Sequence, residues 1–244
     1  NGASRVAQHG KNGILRPKYI EHACKSKDMS AAVTQERPRI VIVGGGIIGC
    51  TIAYYLAKRG HPSIVIEKCE VACGASGKAG GFLARNWSEH TDLDQLSKMS
   101  FDLHAQLAEE FSPNGEYGYR KVDSFSVESL SSPSSHTRRQ NQSQLDWFDG
   151  IPTKMHQIGA MENTAQVHPR LFSQTMIDEA IRLGAQLQIA QVTGIQINQE
   201  SQQVTGVFIN KDEIIPADIV VLSMGPWTHE ACAWLNVPNI TGRK

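Results

Sequence analysis

Hydrophobic and polar positions change their period several times along this chain. Residues 40–43, Ile-Val-Ile-Val, are branched and apolar throughout and predict a buried strand, because β-branched side chains pack well on a pleated surface. Three glycines break the run. Ile48, Ile52, Tyr55 and Leu56 then recur at helical spacing, with Lys58 and Arg59 in the last turn and Gly60 suited to a left-handed cap. Residues 63–66 predict a second buried strand ending at Glu67. Across 92–111, Leu93, Leu96, Leu103, Leu107 and Phe111 predict one face of a long helix, stopped by Pro113, Asn114 and Gly115.

Residues 122–127 alternate as a strand, and 129–143, rich in Ser, Gln and Asn, predict a surface loop or insertion. His168-Pro169 opens another helix, with Leu171, Met176, Ile177, Ala180 and Ile181 on its core face and Gly184 closing it. Residues 186–197 alternate as one strand and pair with 203–209 as a hairpin. Ile214-Ile215-Pro216 leads to a last buried run over 217–222, followed by Ser223-Met224-Gly225-Pro226-Trp227. The order is α/β, interrupted by a long excursion over 82–165 that forms part of a second domain. The first domain is then discontinuous, 39–81 with 166–244.

Strand, G-x-G-x-x-G, helix is a phosphate-binding arrangement. Gly44 lets the turn close, Gly46 lets backbone approach a pyrophosphate, and Gly49 lets the helix press on the strand. The phosphates then meet unpaired N–H groups and the positive end of the helix dipole. Glu67, roughly 20 residues past the turn, is placed to accept both ribose hydroxyls and to repel a 2′-phosphate. Residues 40–57 carry no charge and are long enough to span a bilayer, but the glycines at their centre and the acidic strand beyond argue against a membrane helix. Residues 73–81, nearly all small, permit close approach by a large planar or charged ligand, with Ser76 and backbone N–H groups as donors.

Composition narrows the classes. Basic and acidic residues balance at 24 each, so nothing in the net charge points to nucleic acid. Five cysteines make no disulfide framework and fit a reducing compartment, here the cytoplasm. Cys69 and Cys73 are not a C-x-x-C pair and read as ordinary thiols, and no metal site is expected. Residues 1–38 carry seven Lys or Arg against three acidic residues and no hydrophobic period. They read as a disordered lead-in or an organelle-targeting segment, with Met29-Ser30-Ala31-Ala32 as a natural start.

Four segments in order resemble the FAD-dependent oxidoreductases of the D-amino-acid oxidase family, which includes glycine and sarcosine oxidases. They are residues 40–68, the ASGKAGGFLA loop, the helix and hairpin over 168–209, and IPADIVVLSMGPW. The resemblance spans residues 38–244 and implies a Rossmann-type FAD-binding domain with a partial antiparallel α+β substrate domain. It implies cofactor contacts from Gly44, Gly46, Ile47, Ile48 and Gly49 at the pyrophosphate turn, and from Glu67 and Lys68 at the ribose. Ala75, Ser76, Gly80 and Gly81 match the loop beside the flavin, Val192 the adenine-holding strand, and Gly225 and Trp227 the turn near the cofactor. The family's usual Ala-Ala-Gly reads Ser223-Met224-Gly225.

The implied chemistry is oxidation of a C–N bond in a small amine or amino acid, by hydride transfer to non-covalent FAD. No catalytic side chain is assigned. Arg85, Tyr119 and Arg120 are available to a substrate carboxylate but are as readily ordinary packing or surface residues. Relatives continue well past the equivalent of Lys244, so a truncated, catalytically incompetent nucleotide-binding form is an alternative expectation. An NAD-dependent dehydrogenase shares the glycine turn and Glu67 and is a further one.

Overall fold

A computed structural model of the chain describes residues 37–111, 116–129 and 152–238. The expectations for residues 1–36, for the stop at 113–115, and for all but the first residue of the 129–143 loop lie outside the described residues.

Four strands, β1 (Ile40–Val43), β2 (Ile64–Glu67), β8 (Gln186–Ile189) and β12 (Ile219–Leu222), form a parallel sheet in the order β12-β1-β2-β8. The two-residue period of β1 sends Ile40 and Ile42 into one hydrophobic core and Val41 and Val43 into another, one on each face. A strand covered on both faces has no place for a polar residue, which is why its sequence is an unbroken apolar run. Helices α1 (Ile47–Lys58) and α3 (Pro169–Arg182) supply the first core. An antiparallel sheet of β9 (Val192–Ile197), β10 (Val204–Ile209) and β11 (Glu213–Pro216), in the order β11-β10-β9, supplies the second.

The excursion between β2 and α3 holds β3 (Phe82–Ala84), α2 (Asp94–Phe111), β4 (Arg120–Lys121), β5 (Ser124–Ser129), β6 (Pro152–Gly159) and β7 (Thr164–Gln166). All of its strand pairs are antiparallel, β3-β7-β4 in one sheet and β5-β6 in another. A short α4 (Glu230–Leu235) follows β12.

Several expectations change; in α3, Leu171 and Ile181, expected on the core face, are 44% and 41% exposed. The apolar stripe assigned to α1 is not its buried face: Gly49, Cys50, Ala53, Tyr54 and Ala57 are buried, and Ile48 is 63% exposed. Small residues let α1 lie close to the sheet and to α3, leaving the larger Ile52, Tyr55 and Leu56 half-buried at the rim of the core. In α2, Phe101, Leu107 and Phe111 are buried while Leu93 just before it, Leu96 and Leu103 are exposed. Residues 186–197 are two strands in different sheets. The chain leaves β2 at Ala190, whose N–H donates to the Glu67 carbonyl, and turns into β9 of the hairpin. The membrane alternative for residues 40–57 falls, since that run is a strand, a turn and a twelve-residue helix. No helix among the described residues is long and apolar enough to cross a membrane.

Candidate functional site

At the carboxyl ends of β1, β2 and β12 a cleft of about 650 Å³ opens, the position where parallel α/β sheets take their ligands. Its floor is the glycine turn. Gly44 leaves β1 with φ +111°, and a Cβ there would lie 2.5 Å from the Ser223 carbonyl oxygen. A Cβ on Gly49 would lie 2.0 Å from the Gly44 carbonyl oxygen, so α1 can fold back on the turn only with glycine at both places. Ser223 ties β12 to this turn: its N–H donates to the Val43 carbonyl, and its hydroxyl lies 3.0 and 3.1 Å from the carbonyls of Val43 and Gly44. Beneath the turn, the Cys50 thiol lies 3.4 Å from the Gly45 carbonyl that it donates to. Burial, reinforced by the nearby Glu67, pushes that thiol up to about 12, so it stays protonated as a donor.

Glu67 closes the turn from the end of β2. Its Oε2 accepts the Gly45 N–H at 2.7 Å and its Oε1 accepts the Cys69 N–H at 3.0 Å. Gly46 is the N-cap residue of α1, with no side-chain cap and no acidic residue in the first turn. The first-turn amides have no partner within the helix. Ile47 N–H donates to Ser76 Oγ at 3.0 Å, and a Cβ on Gly46 would come within 3.1 Å of the same oxygen. The 73–81 loop is thereby laced over the helix tip.

Of the residues expected at a nucleotide, Gly44, Gly46, Ile48, Glu67, Lys68, Ala75, Ser76, Val192, Gly225 and Trp227 line this one cleft. Ile47 and Gly49 sit behind its wall, and Gly80 and Gly81 lie at the entry to β3. There Gly81, at φ +77°, packs where a Cβ would lie 2.2 Å from the Val167 carbonyl oxygen. Trp227 is about half exposed and faces Gly74, whose added Cβ would touch its ring at 3.4 Å.

Arg85, Tyr119 and Arg120 lie outside the cleft. Arg85 pairs with Asp102 at 3.2 Å, and Arg120 binds the Gln166 side chain. The Tyr119 hydroxyl is buried without a partner, and burial raises its pKa. Among the members of the cleft wall that sequence reasoning missed are Cys69 and Cys73. They are not ordinary thiols: a disulfide joins them, with Cα atoms 6.7 Å apart, across the rim beside Glu67. A cysteine two residues after Glu67 was the available signal.

Comparison with known proteins agrees with this geometry. Residues 39–242 match the family model described as DAO, FAD dependent oxidoreductase. A putative oxidoreductase of Schizosaccharomyces pombe is 27% identical over 228 residues, covering 82% of this chain and 56% of its own length. The solved glycine oxidase from Geobacillus kaustophilus shares the fold with TM-score 0.63 at 21% identity, over 83% of this chain and 59% of that one. The L-amino acid deaminase from Proteus myxofaciens does so with TM-score 0.64 at 19% identity, over 88% and 52%. The chain thus spans just over half the length of each of these proteins. The matched family is defined by FAD, which sets the nicotinamide alternative aside. With its glycine turn, the acid that closes it and nearly all of its described residues inside the match, the chain belongs to the DAO family of FAD-dependent oxidoreductases.

Proposed function

We propose that this chain carries the nucleotide-binding part of an oxidoreductase that oxidises a C–N bond of a small amine or amino acid, with FAD held non-covalently in the cleft. One observation carries the reading: the Glu67 carboxylate is fixed on the Gly45 N–H, inside the cleft and beside the start of α1. The fit is physical. The volume is that of a cofactor site, a side chain at Gly46 would crowd Ser76, and the helix start offers amides and a positive dipole end with no acidic residue in its own first turn.

Gly46, Ile48 and the Ser76 region would hold the pyrophosphate, Glu67 and Lys68 the ribose, and Val192 the adenine edge. Gly225 and Trp227 border the opposite end of the cleft, toward the flavin. Neither His nor Cys occurs between Gly74 and Gly81 for covalent attachment there. The cofactor supplies the hydride-accepting chemistry, and the protein's part is to orient it and keep water out. Residues 39–81 and 166–244 make the nucleotide domain, supported by the parallel sheet drawn from both. Residues 82–165 contribute to the substrate domain, supported by its antiparallel pairing. Glycine oxidase and L-amino acid deaminase among the structural neighbours favour an amino-acid substrate. The Cys69–Cys73 disulfide removes the cysteine argument for a reducing compartment such as the cytoplasm.

A second reading, nucleotide binding without turnover, is supported by the arginines: Arg85 and Arg120 are already engaged by Asp102 and Gln166. Anaerobic mixing of the FAD-loaded chain with a panel of amino acids and secondary amines separates the two. Bleaching of the flavin absorbance by one of them is the expected result, and an unchanged spectrum with all of them establishes binding alone.

A further inference from the structure

The Cys69–Cys73 pair has chemistry that the flavin reading does not use. Both cysteines line the cleft, Cys69 exposed and Cys73 half-buried, so a reductant reaches them from solvent. Their sulfurs lie 3.4 and 3.7 Å from Glu67 Oε1. A disulfide carries no S–H to donate, so these are contacts around one carboxylate oxygen rather than hydrogen bonds. The three ligand atoms lie within 4.8 Å of one another. Tetrahedral zinc, with Zn–S about 2.3 Å and Zn–O about 2.0–2.2 Å, sets its oxygen and sulfur ligands about 3.6 Å apart. Both observed oxygen–sulfur separations match that edge.

We propose that in the dithiol state Cys69, Cys73 and Glu67 form a three-ligand site for a zinc-class divalent cation, and that this cation and the nucleotide compete for Glu67. A dithiol reductant breaks the Cys69–Cys73 bond, delivering two electrons and two protons and leaving as its own cyclic disulfide. The freed sulfurs then separate around the cation, and their two protons pass to solvent as thiolates bind. The fourth position faces the cleft, as in zinc sites that keep an open coordination place. A metal-bound Glu67 Oε1 gives one lone pair to the cation and its other to the Cys69 N–H, leaving none for a ribose hydroxyl. Soft thiolate ligands select zinc or cadmium over magnesium or calcium. The oxidised pair, by contrast, offers no thiolate and leaves Glu67 to the nucleotide. The competition, though not the metal site itself, rests on the flavin reading above.

The test uses the full chain, reduced with dithiothreitol and then freed of it, beside the oxidised chain, titrated with cadmium and followed by the thiolate-to-metal ultraviolet band. One cadmium per reduced chain, none in the oxidised chain and none in Cys73→Ser is the expected pattern. Absence of the band from the reduced chain overturns the site, and since oxidised and reduced wild type suffice for that comparison, a misfolded variant does not obscure it. FAD titration with and without zinc tests the competition. At least a tenfold weakening of FAD binding by zinc in the reduced chain alone supports it, and equal affinity overturns it. Cadmium binding in a chain that takes up no FAD in any state supports the metal site and overturns the flavin reading.

Discussion

Helix α1 has 12 residues and α2 has 18, yet the shorter one is the better buried. α1 presses small residues, Cys50, Ala53 and Ala57, against the sheet and α3, with Tyr54 stacked edge-on to Phe111 at 5.2 Å. α2 reaches the same core through Leu107, Ala108 and Phe111 near its end, and leaves Leu96, Met99 and Leu103 in solvent. An apolar stripe at helical spacing therefore marks a helix, but not which face is covered. Where the partner backbone comes close, small residues mark the contact and the large ones are pushed to its rim.

The largest test of this contrast is at the tightest contact. Gly49→Val, whose first added carbon would meet the Gly44 carbonyl oxygen, is expected to abolish the folded state, seen as loss of the cooperative far-ultraviolet transition. A variant that melts like wild type would show the helix free to lift from the turn. Next, Met176→Ala on the fully buried face of α3, packed in the same core as α1, should cost about 2–5 kcal/mol in chemical denaturation.

A smaller, pH-dependent effect belongs to Cys50. Its folded-state pKa of about 12 exceeds the ordinary 9.0, so stability is complete below about 9 and falls as pH rises toward 12, where the unfolded chain ionises this thiol first. Native protein at neutral pH should leave Cys50 unalkylated, while urea exposes it. The least effect is on the other helix. Leu96→Lys, at a position 61% exposed, should change stability by no more than about 0.5 kcal/mol, and a large loss would mean that α2 is covered.

The β1–turn–α1–β2 unit was legible in sequence because each step has a local cause: branched residues for a doubly covered strand, glycine where a carbonyl leaves no room, and an acid at the next strand's end. The hairpin turn across residues 198–202, between β9 and β10, was legible for the same reason. The break at Ala190 was not, because alternation continues smoothly through residues 186–197 and only the position of β2 decides where the chain departs. Nor was the disulfide, since the spacing of Cys69 and Cys73 matches no common motif, and only the fold of the loop around Glu67 brings their sulfurs together. Ser223 likewise looked like a mild departure from the family, whereas in space it ties two strand ends.

The most direct measurement is equilibrium FAD binding by the wild-type chain and by Glu67→Gln, followed through flavin fluorescence. A carboxylate hydrogen-bonded to a bound sugar contributes about 1.5–3 kcal/mol, so the variant should bind about 10- to 150-fold more weakly; it also loses one of the two backbone N–H groups that Glu67 accepts, so it should melt lower but still cooperatively. Equal affinity in the two proteins, or no uptake of FAD by the wild type, would contradict the account.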